Sequence, residues 1–267
     1  MTGPTPAPSP LRSRSGPSRE PMGPDGSMSI LEHLDELRSR LLRSVVAFFV
    51  AFVACWFASG PLLALILRPI REHLFEGGDI VYINLSEPFM IHMKAAGLAA
   101  VFLASPYLLY QLWAFVAPGL YSRERRMVVP FLVLGTAFFL AGGAFGYRVA
   151  TPVAARWLIE MGRGYTANIT LRSAFQFEST IILAMGAVFE LPVLVFFLSR
   201  LGIVTPGFLM RHLRHAVLVI AILAAVVTPT GDMITMSVFA GPMILLYLLG
   251  VLIAWVFGSP RREEREP

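Results

Sequence analysis

Apolar runs long enough to cross a bilayer alternate with short polar segments along most of the chain. Taking about 20 apolar residues as the unit that spans a ~30 Å hydrocarbon core, six helices are predicted: Leu41 to Ser59, Phe89 to Val116, Met127 to Val149, Phe175 to Ser199, Ala216 to Val227 and Met233 to Phe257. The pattern is that of an all-α polytopic membrane protein. Its fifth run is short, because about 12 residues at ~1.5 Å of rise cover only ~18 Å. A Thr228-Pro229-Thr230-Gly231-Asp232 turn joins it to the sixth. The two spans are therefore expected to be short and to form a shallow hairpin in a locally thinned bilayer.

The flanking segments carry their own signals. Ser29 and Glu32 have capping-box spacing, so a helix is expected to begin ahead of the first span, with Leu31, Leu34, Leu37 and Leu41 as its apolar stripe. Between the first two spans, Gly60 to Pro88 contains "PLLALILRPIREHLF", an amphipathic pattern expected to lie on the outer leaflet. The second outer segment, Ala150 to Ala174, is polar and less patterned, and no internal repeat is visible. Residues 1–27 lack an apolar run and read as a disordered cytoplasmic tail rather than a signal peptide. Residues 28–258 form the expected six-helix membrane domain, and 259–267 a charged cytoplasmic tail.

Composition agrees with this reading. The chain is 56% hydrophobic and 15% charged, with mean hydropathy +0.67, too apolar for a soluble domain of 267 residues. A net charge of +5 would suit a nucleic-acid binder, but the arginines flank the apolar runs, which removes nucleic acid as a partner. Arg38, Arg40, Arg43, Arg123, Arg125, Arg126, Arg200, Arg211, Arg214, Arg261, Arg262 and Arg265 fall on one side. Only Arg68, Arg71, Arg148, Arg156, Arg163 and Arg172 fall on the other, so both termini are expected in the cytoplasm of a multi-pass cell-membrane protein. Cys55 is the single cysteine, and no Cys/His spacing indicates a metal. No G-x-x-x-x-G-K-[ST], HExxH, G-x-S-x-G or CxxC motif occurs, so neither an enzyme nor a cofactor is expected.

A few polar residues sit where chemistry would be costly or useful. Glu190 lies inside "ILAMGAVFELPVLVFFL", residues 182–198, where a central acid costs roughly 3 kcal/mol and is functional by default. Pro192 removes a helical hydrogen bond and frees a carbonyl near residue 188. One reading makes Glu190 the carrier acid of a proton- or ion-coupled small-molecule transporter. Lys94 is expected to snorkel and Asp232 to cap the sixth helix. By spacing alone, Glu36 is half of an i,i+4 pair with Arg40, and Glu124 balances charge among Arg123, Arg125 and Arg126.

Five blocks in order, "HLDELRSRLL", "PFMIHMKAAG", "SPYLLYQLWAFVAPGLYSRERR", "MGAVFELPVLVFFLSRLGIVTP" and "TPTGD", resemble TatC, the multispanning core of the twin-arginine protein translocase. The resemblance covers about residues 30 to 255. It implies six helices with a glove-like concave face and transport driven by the proton-motive force. It also implies a receptor for twin-arginine signal peptides of folded precursors, working with TatA- and TatB-type partners and further copies of itself. Glu36 falls on the glutamate of the family's "HLxELR" motif and Glu124 on that of "LYxxERR", the carboxylates that recognise paired arginines. Guanidinium forks bind carboxylates bidentately, which suits that role. Phe115, His33 and Arg38 match the same region, as do Pro106, Tyr110, Gln111 and Tyr121. Glu190 matches the acid of the fourth helix, implicated in partner-helix contacts, and Thr228 and Pro229 match a partner-docking region.

The chain departs from the family in places. Many relatives read "TPPDxxSQ", whereas here one residue is added before Asp232, Thr235 stands for Ser and Met236 for Gln. Leu248 replaces the acid common after Leu-Tyr in the last helix.

Overall fold

The structure is a computed structural model that describes residue 3 and residues 30–74, 78–116, 128–165, 168–200, 202–228 and 231–257. The expected tails, 1–27 and 259–267, lie outside the described residues apart from Gly3. Helix α1 spans Ile30–Phe57 and begins beside the predicted capping box, whose Ser29 is not described. Its 28 residues reach ~42 Å, longer than a ~30 Å hydrocarbon core, so its ends extend past the apolar layer. α3, Glu87–Val116, runs back antiparallel beside it. Ala51 and Cys55 of α1 meet Ala96, Ala100 and Ala104 of α3, a small-residue seam that lets two backbones approach closely. Pro106 cannot bond the Phe102 carbonyl, and the Ser105 hydroxyl donates to it instead (2.8 Å), so α3 continues through the proline.

The expected amphipathic segment is a helix, α2, Ser59–Arg71, but its apolar face does not lie on lipid. Leu63, Ile66, Leu67 and Ile70 pack against Ile91, Ala95 and Leu98 of α3 and against Ala174, Phe175 and Ile182 of a later helix, Leu171–Phe189. The protein supplies the apolar partner that a leaflet would otherwise provide.

The third span also departs from expectation. α4, Val128–Phe145, passes through a π-helical turn, Gly146–Ala150, into α5, Thr151–Met161. Pro152 lacks the N–H that would bond the Arg148 carbonyl, and the widened turn ahead of it accommodates the ring. The segment expected to be an irregular polar loop is thus helical to Met161. Beyond it, β2, Asn168–Thr170, pairs in parallel with β1, Asp79–Val81, in the register Asp79 with Asn168 and Val81 with Thr170. The sequence pattern predicts neither strand. Glu87 fastens this ribbon to the bundle: Oε2 accepts the N–H groups of Ile83 (3.1 Å) and Asn84 (3.4 Å), and Oε1 that of Arg172 (2.8 Å).

The fourth span is α6, Leu171–Phe189, followed after a one-residue break at Glu190 by α7, Leu191–Arg200. Gly142 of α4 makes the close contact here. A Cβ on it would collide with the Met185 carbonyl and stand 2.7 Å from Phe189 Cβ. After α8, Pro206–Arg211, come α9, Leu213–Val227, and α10, Met233–Phe257. The 15 residues of α9 cover ~22 Å, short as expected. The 25 residues of α10 cover ~37 Å and correct the expectation of a short sixth span. Gly231, at φ +63°, turns the chain between them. Asp232 Oδ1 accepts the Thr235 N–H (2.7 Å), the predicted cap of α10. Among the described residues, five helical segments are long and apolar enough to cross a membrane, and α9 is a shorter apolar helix.

Candidate functional site

Helical spacing on α1 decides which side chains meet the bundle. The inward face reads His33, Glu36, Arg40, Ser44, then Ala47, Phe48, Ala51 and Cys55, polar at the start and apolar deeper in. The leucines expected to form its packed stripe, Leu34, Leu37 and Leu41, are exposed instead, and so is Arg38. Their i,i+3/i+4 spacing is that of a helix face, but it faces away from α3.

The polar part of the inward face meets the end of α3. Arg40 Nε and Nη2 both bond Oε1 of Glu36, at 2.9 and 2.5 Å. Arg40 Nη1 reaches the buried Gln111 Oε1 at 3.4 Å, and Ser44 Oγ donates to the Arg40 carbonyl at 3.0 Å. Glu36 and Arg40 side chains are each only 20% exposed, so the pair is partly shielded from solvent and is stronger than a surface one. Glu36 Oε2 is buried and has no hydrogen-bond partner among the described residues. One turn away, the His33 and Phe115 rings stack with centroids 4.4 Å apart and planes 18° from parallel. A carboxylate oxygen with unused acceptor capacity therefore lies beside a flat apolar surface.

A second polar spot lies deeper. Pro192 has no N–H for the Val188 carbonyl, and α6 ends there with the Glu190 N–H turned to Ala187 (3.2 Å). The Glu190 carboxyl leans on α4 at Gly135, where a Cβ would stand 3.2 Å from Oε2 and 3.7 Å from Trp113 Nε1. Glu190 Oε1, Trp113 Nε1 and Thr136 Oγ1 are buried without hydrogen-bond partners among the described residues. The Trp113 ring is held by Phe131 (5.7 Å between centroids, stacked) and Phe197 (4.7 Å, edge-on). The result is an under-satisfied polar pocket backed by aromatic rings.

Residues 32–242 match the family described as Sec-independent protein translocase protein (TatC). The chain belongs to the TatC family. It is 44% identical over 243 residues to the Sec-independent protein translocase protein TatC of Koribacter versatilis (strain Ellin345), covering 90% of each chain. With the protein of the same name from Campylobacter jejuni subsp. jejuni serotype O:2 it shares 38% identity, over 88% of this chain and 97% of the other. Two crystal structures of the twin arginine translocase receptor TatC, one of them in DDM, superpose with TM-scores of 0.75 and 0.77. Each is 27% identical and is matched over 84% of this chain and 99% of its own. Membership in the TatC family leaves the small-molecule transporter reading of Glu190 without support.

Within this TatC fold, the structure brings together Glu36, His33 and Phe115 but not Arg38, which is exposed on another face of α1. Glu190 stands apart, across the break between α6 and α7. Thr228 is buried at the end of α9, its hydroxyl donating to the Ala224 carbonyl (2.7 Å), near the Asp232 cap. Glu124 and Pro229 lie outside the described residues. Sequence reasoning left Gln111 as a residue that only matches and gave Arg40 no place in the site. It passed over Glu178 altogether, because the apolar window 182–198 begins just after it. The predicted span from Phe175 to Ser199 already holds both acids.

Proposed function

We propose that this chain is the receptor subunit of a twin-arginine protein translocase, binding the signal peptides of folded precursors at the Glu36 end of α1 and α3. The half-engaged Glu36 carboxylate carries the reading. Oε1 is held by Arg40, while the buried Oε2 has the capacity to accept one fork of an incoming guanidinium. Glu124 supplies the second carboxylate of the clamp from the connection between α3 and α4, and Phe115 with His33 offers an apolar face beside it. Arg38 acts at the rim rather than inside the pocket. This end of the bundle faces the cytoplasm, with both termini there, in a multi-pass cell-membrane protein.

The second part of the proposal concerns assembly. Glu190 makes a lipid-level pocket polar enough to hold part of another helix, and Thr228, Pro229 and Asp232 border the edge where a TatA- or TatB-type single-span protein docks. Further copies of the chain complete the complex, in which transport draws on the proton-motive force.

Site-specific photocrosslinking to a twin-arginine precursor tests the clamp. Crosslinks from position 115 should be lost in a Glu36→Ala, Glu124→Ala double variant, together with export. Undiminished crosslinks and export in that variant would sink the proposal.

A further inference from the structure

Glu178 lies seven residues into α6. It is fully buried, and neither carboxyl oxygen makes a hydrogen bond of standard geometry among the described residues, the Thr151 hydroxyl being the group that faces it. Two other fully buried groups share that condition. Thr151 Oγ1, at the start of α5, stands across from the Glu178 carboxyl, and Thr235 Oγ1 lies in the first turn of α10. The helix directions place all three at one level. Ala150, Ile181 and Phe239 pack together, and Thr151, Glu178 and Thr235 lie on the same three segments within one turn of them, toward the ribbon end.

A cavity of about 380 Å³ opens next to this level between α2, α5, β2 and α6, lined in part by Ile70, Leu158, Ile169 and Ser173. Ala155 and Ala174 also line it, one helical turn from Thr151 and Glu178 respectively, toward the ribbon. The cavity wall on the turns next to Thr151 and Glu178 thus carries only methyl side chains at these two positions.

The charged neighbours do not neutralise Glu178. Tyr147, on the π-helical turn, is within electrostatic reach, but its hydroxyl donates to the Leu65 carbonyl (2.8 Å), among Arg68, Glu72 and Arg148. Asp232, at the head of α10, accepts the Thr235 N–H. On α5, Arg156 is exposed and Glu160 pairs with Arg163 (2.8 Å). Arg172 on α6 and Lys94 on α3 are exposed, His92 lines a separate cavity, and Asp79 on β1 accepts the Ile80 N–H. α4 carries no titratable side chain, and the only ones on α9, Arg214 and His215, are at its other end.

We propose that Glu178 is a proton-binding site that exchanges with the compartment on the ribbon side through the alanine-floored cavity. An unpaired, unsolvated carboxylate is not sustainable at such a position, so the group needs a cationic occupant. One carboxyl and two hydroxyls are a sparse set for a metal ion, and no group of three His, Cys, Asp or Glu side chains suited to one exists among the described residues. A proton requires only the carboxyl. The Thr151 hydroxyl opposite it, both donor and acceptor, can serve the acid and the carboxylate alike. The adjoining π-helical turn belongs to a class of distortion common at functional sites. This site is separate from the peptide clamp and its test does not require transport.

The test uses the full chain in sealed vesicles, modified with dicyclohexylcarbodiimide and read by peptide mass spectrometry. Glu178 should be modified, and the modification should fall roughly tenfold per pH unit on the alkaline side of its titration when only the ribbon-side buffer is changed. Glu178→Gln should abolish it. Ala174→Leu and Ala155→Leu should each slow it several-fold in protein that retains its native elution profile. Labelling that follows the opposite compartment, ignores pH on both sides, or is suppressed by sodium ions at constant pH overturns the proposal. So does an unmodified Glu178 in natively eluting protein.

Discussion

The Arg40 guanidinium grips one oxygen of the Glu36 carboxylate and leaves the other buried without a partner among the described residues. The contact orients the carboxylate without saturating it, and Gln111 steadies the guanidinium from α3 at 3.4 Å. Glu36→Gln keeps the shape and removes the charge. Binding of a synthetic twin-arginine peptide, followed by fluorescence anisotropy, should weaken by about 1.5–3 kcal/mol, or roughly 10- to 150-fold. Arg40→Gln should reduce it less, because the acceptor survives and only its orientation is lost.

Phe115→Ala removes the ring that stacks on His33. The loss of about 0.5–1.5 kcal/mol should loosen the first turns of α1 rather than unfold the bundle. Hydrogen exchange of residues 33–40 should rise while that of the Ala96–Ala104 seam stays unchanged. Phe115→Tyr, which keeps the ring, should restore protection.

Gly142→Ala places a methyl against the Met185 carbonyl and the Phe189 side chain, backbone and core groups with little room to move. Overpacking of this kind costs about 1–3 kcal/mol, visible as a lower thermal midpoint in detergent. Gly60→Ala, with nothing within 4 Å of the new methyl, should leave the midpoint close to that of the parent.

Glu87→Ala leaves the N–H groups of Ile83, Asn84 and Arg172 without their shared carboxylate. Some of these groups would be re-solvated, so a loss of about 1–3 kcal/mol is expected. Proteolysis should become faster near residues 79–86. Glu87→Gln, which keeps one acceptor oxygen, should fall between the parent and the alanine variant.

Much of the architecture was visible in one dimension. Apolar runs located the helices because crossing hydrocarbon demands sustained apolarity and internally bonded backbone. Pro192 marked a missing hydrogen bond near residue 188, but the fourth run read as one helix, and only the structure shows it broken at Glu190. Asp232 and α10 behaved as a cap and its helix because a cap acts locally. Resemblance to TatC pointed to Glu36, and comparison with known proteins supports the family.

Long-range contacts were harder to read. The α2 pattern was amphipathic, but hydrophobicity cannot tell lipid from protein as the partner of an apolar face; only the positions of α3 and α6 decide that. The leucine stripe on α1 failed for the converse reason. In a bilayer the exposed face is apolar too, so leucines do not mark the packed side. The ribbon of Asp79–Val81 with Asn168–Thr170 joins segments far apart in the chain and too short for a pattern of their own.

The sequence by itself determined where the apolar runs lie, which proline removes a helical hydrogen bond and which acids the runs carry, because propensity, proline chemistry and desolvation act through near neighbours. Only the tertiary structure decided what those acids face. Glu36 meets Arg40 and Gln111, Glu190 leans on Gly135, and Glu178 stands opposite Thr151 beneath a cavity. Those relations depend on how closely separate helices approach, which small residues at distant positions set jointly.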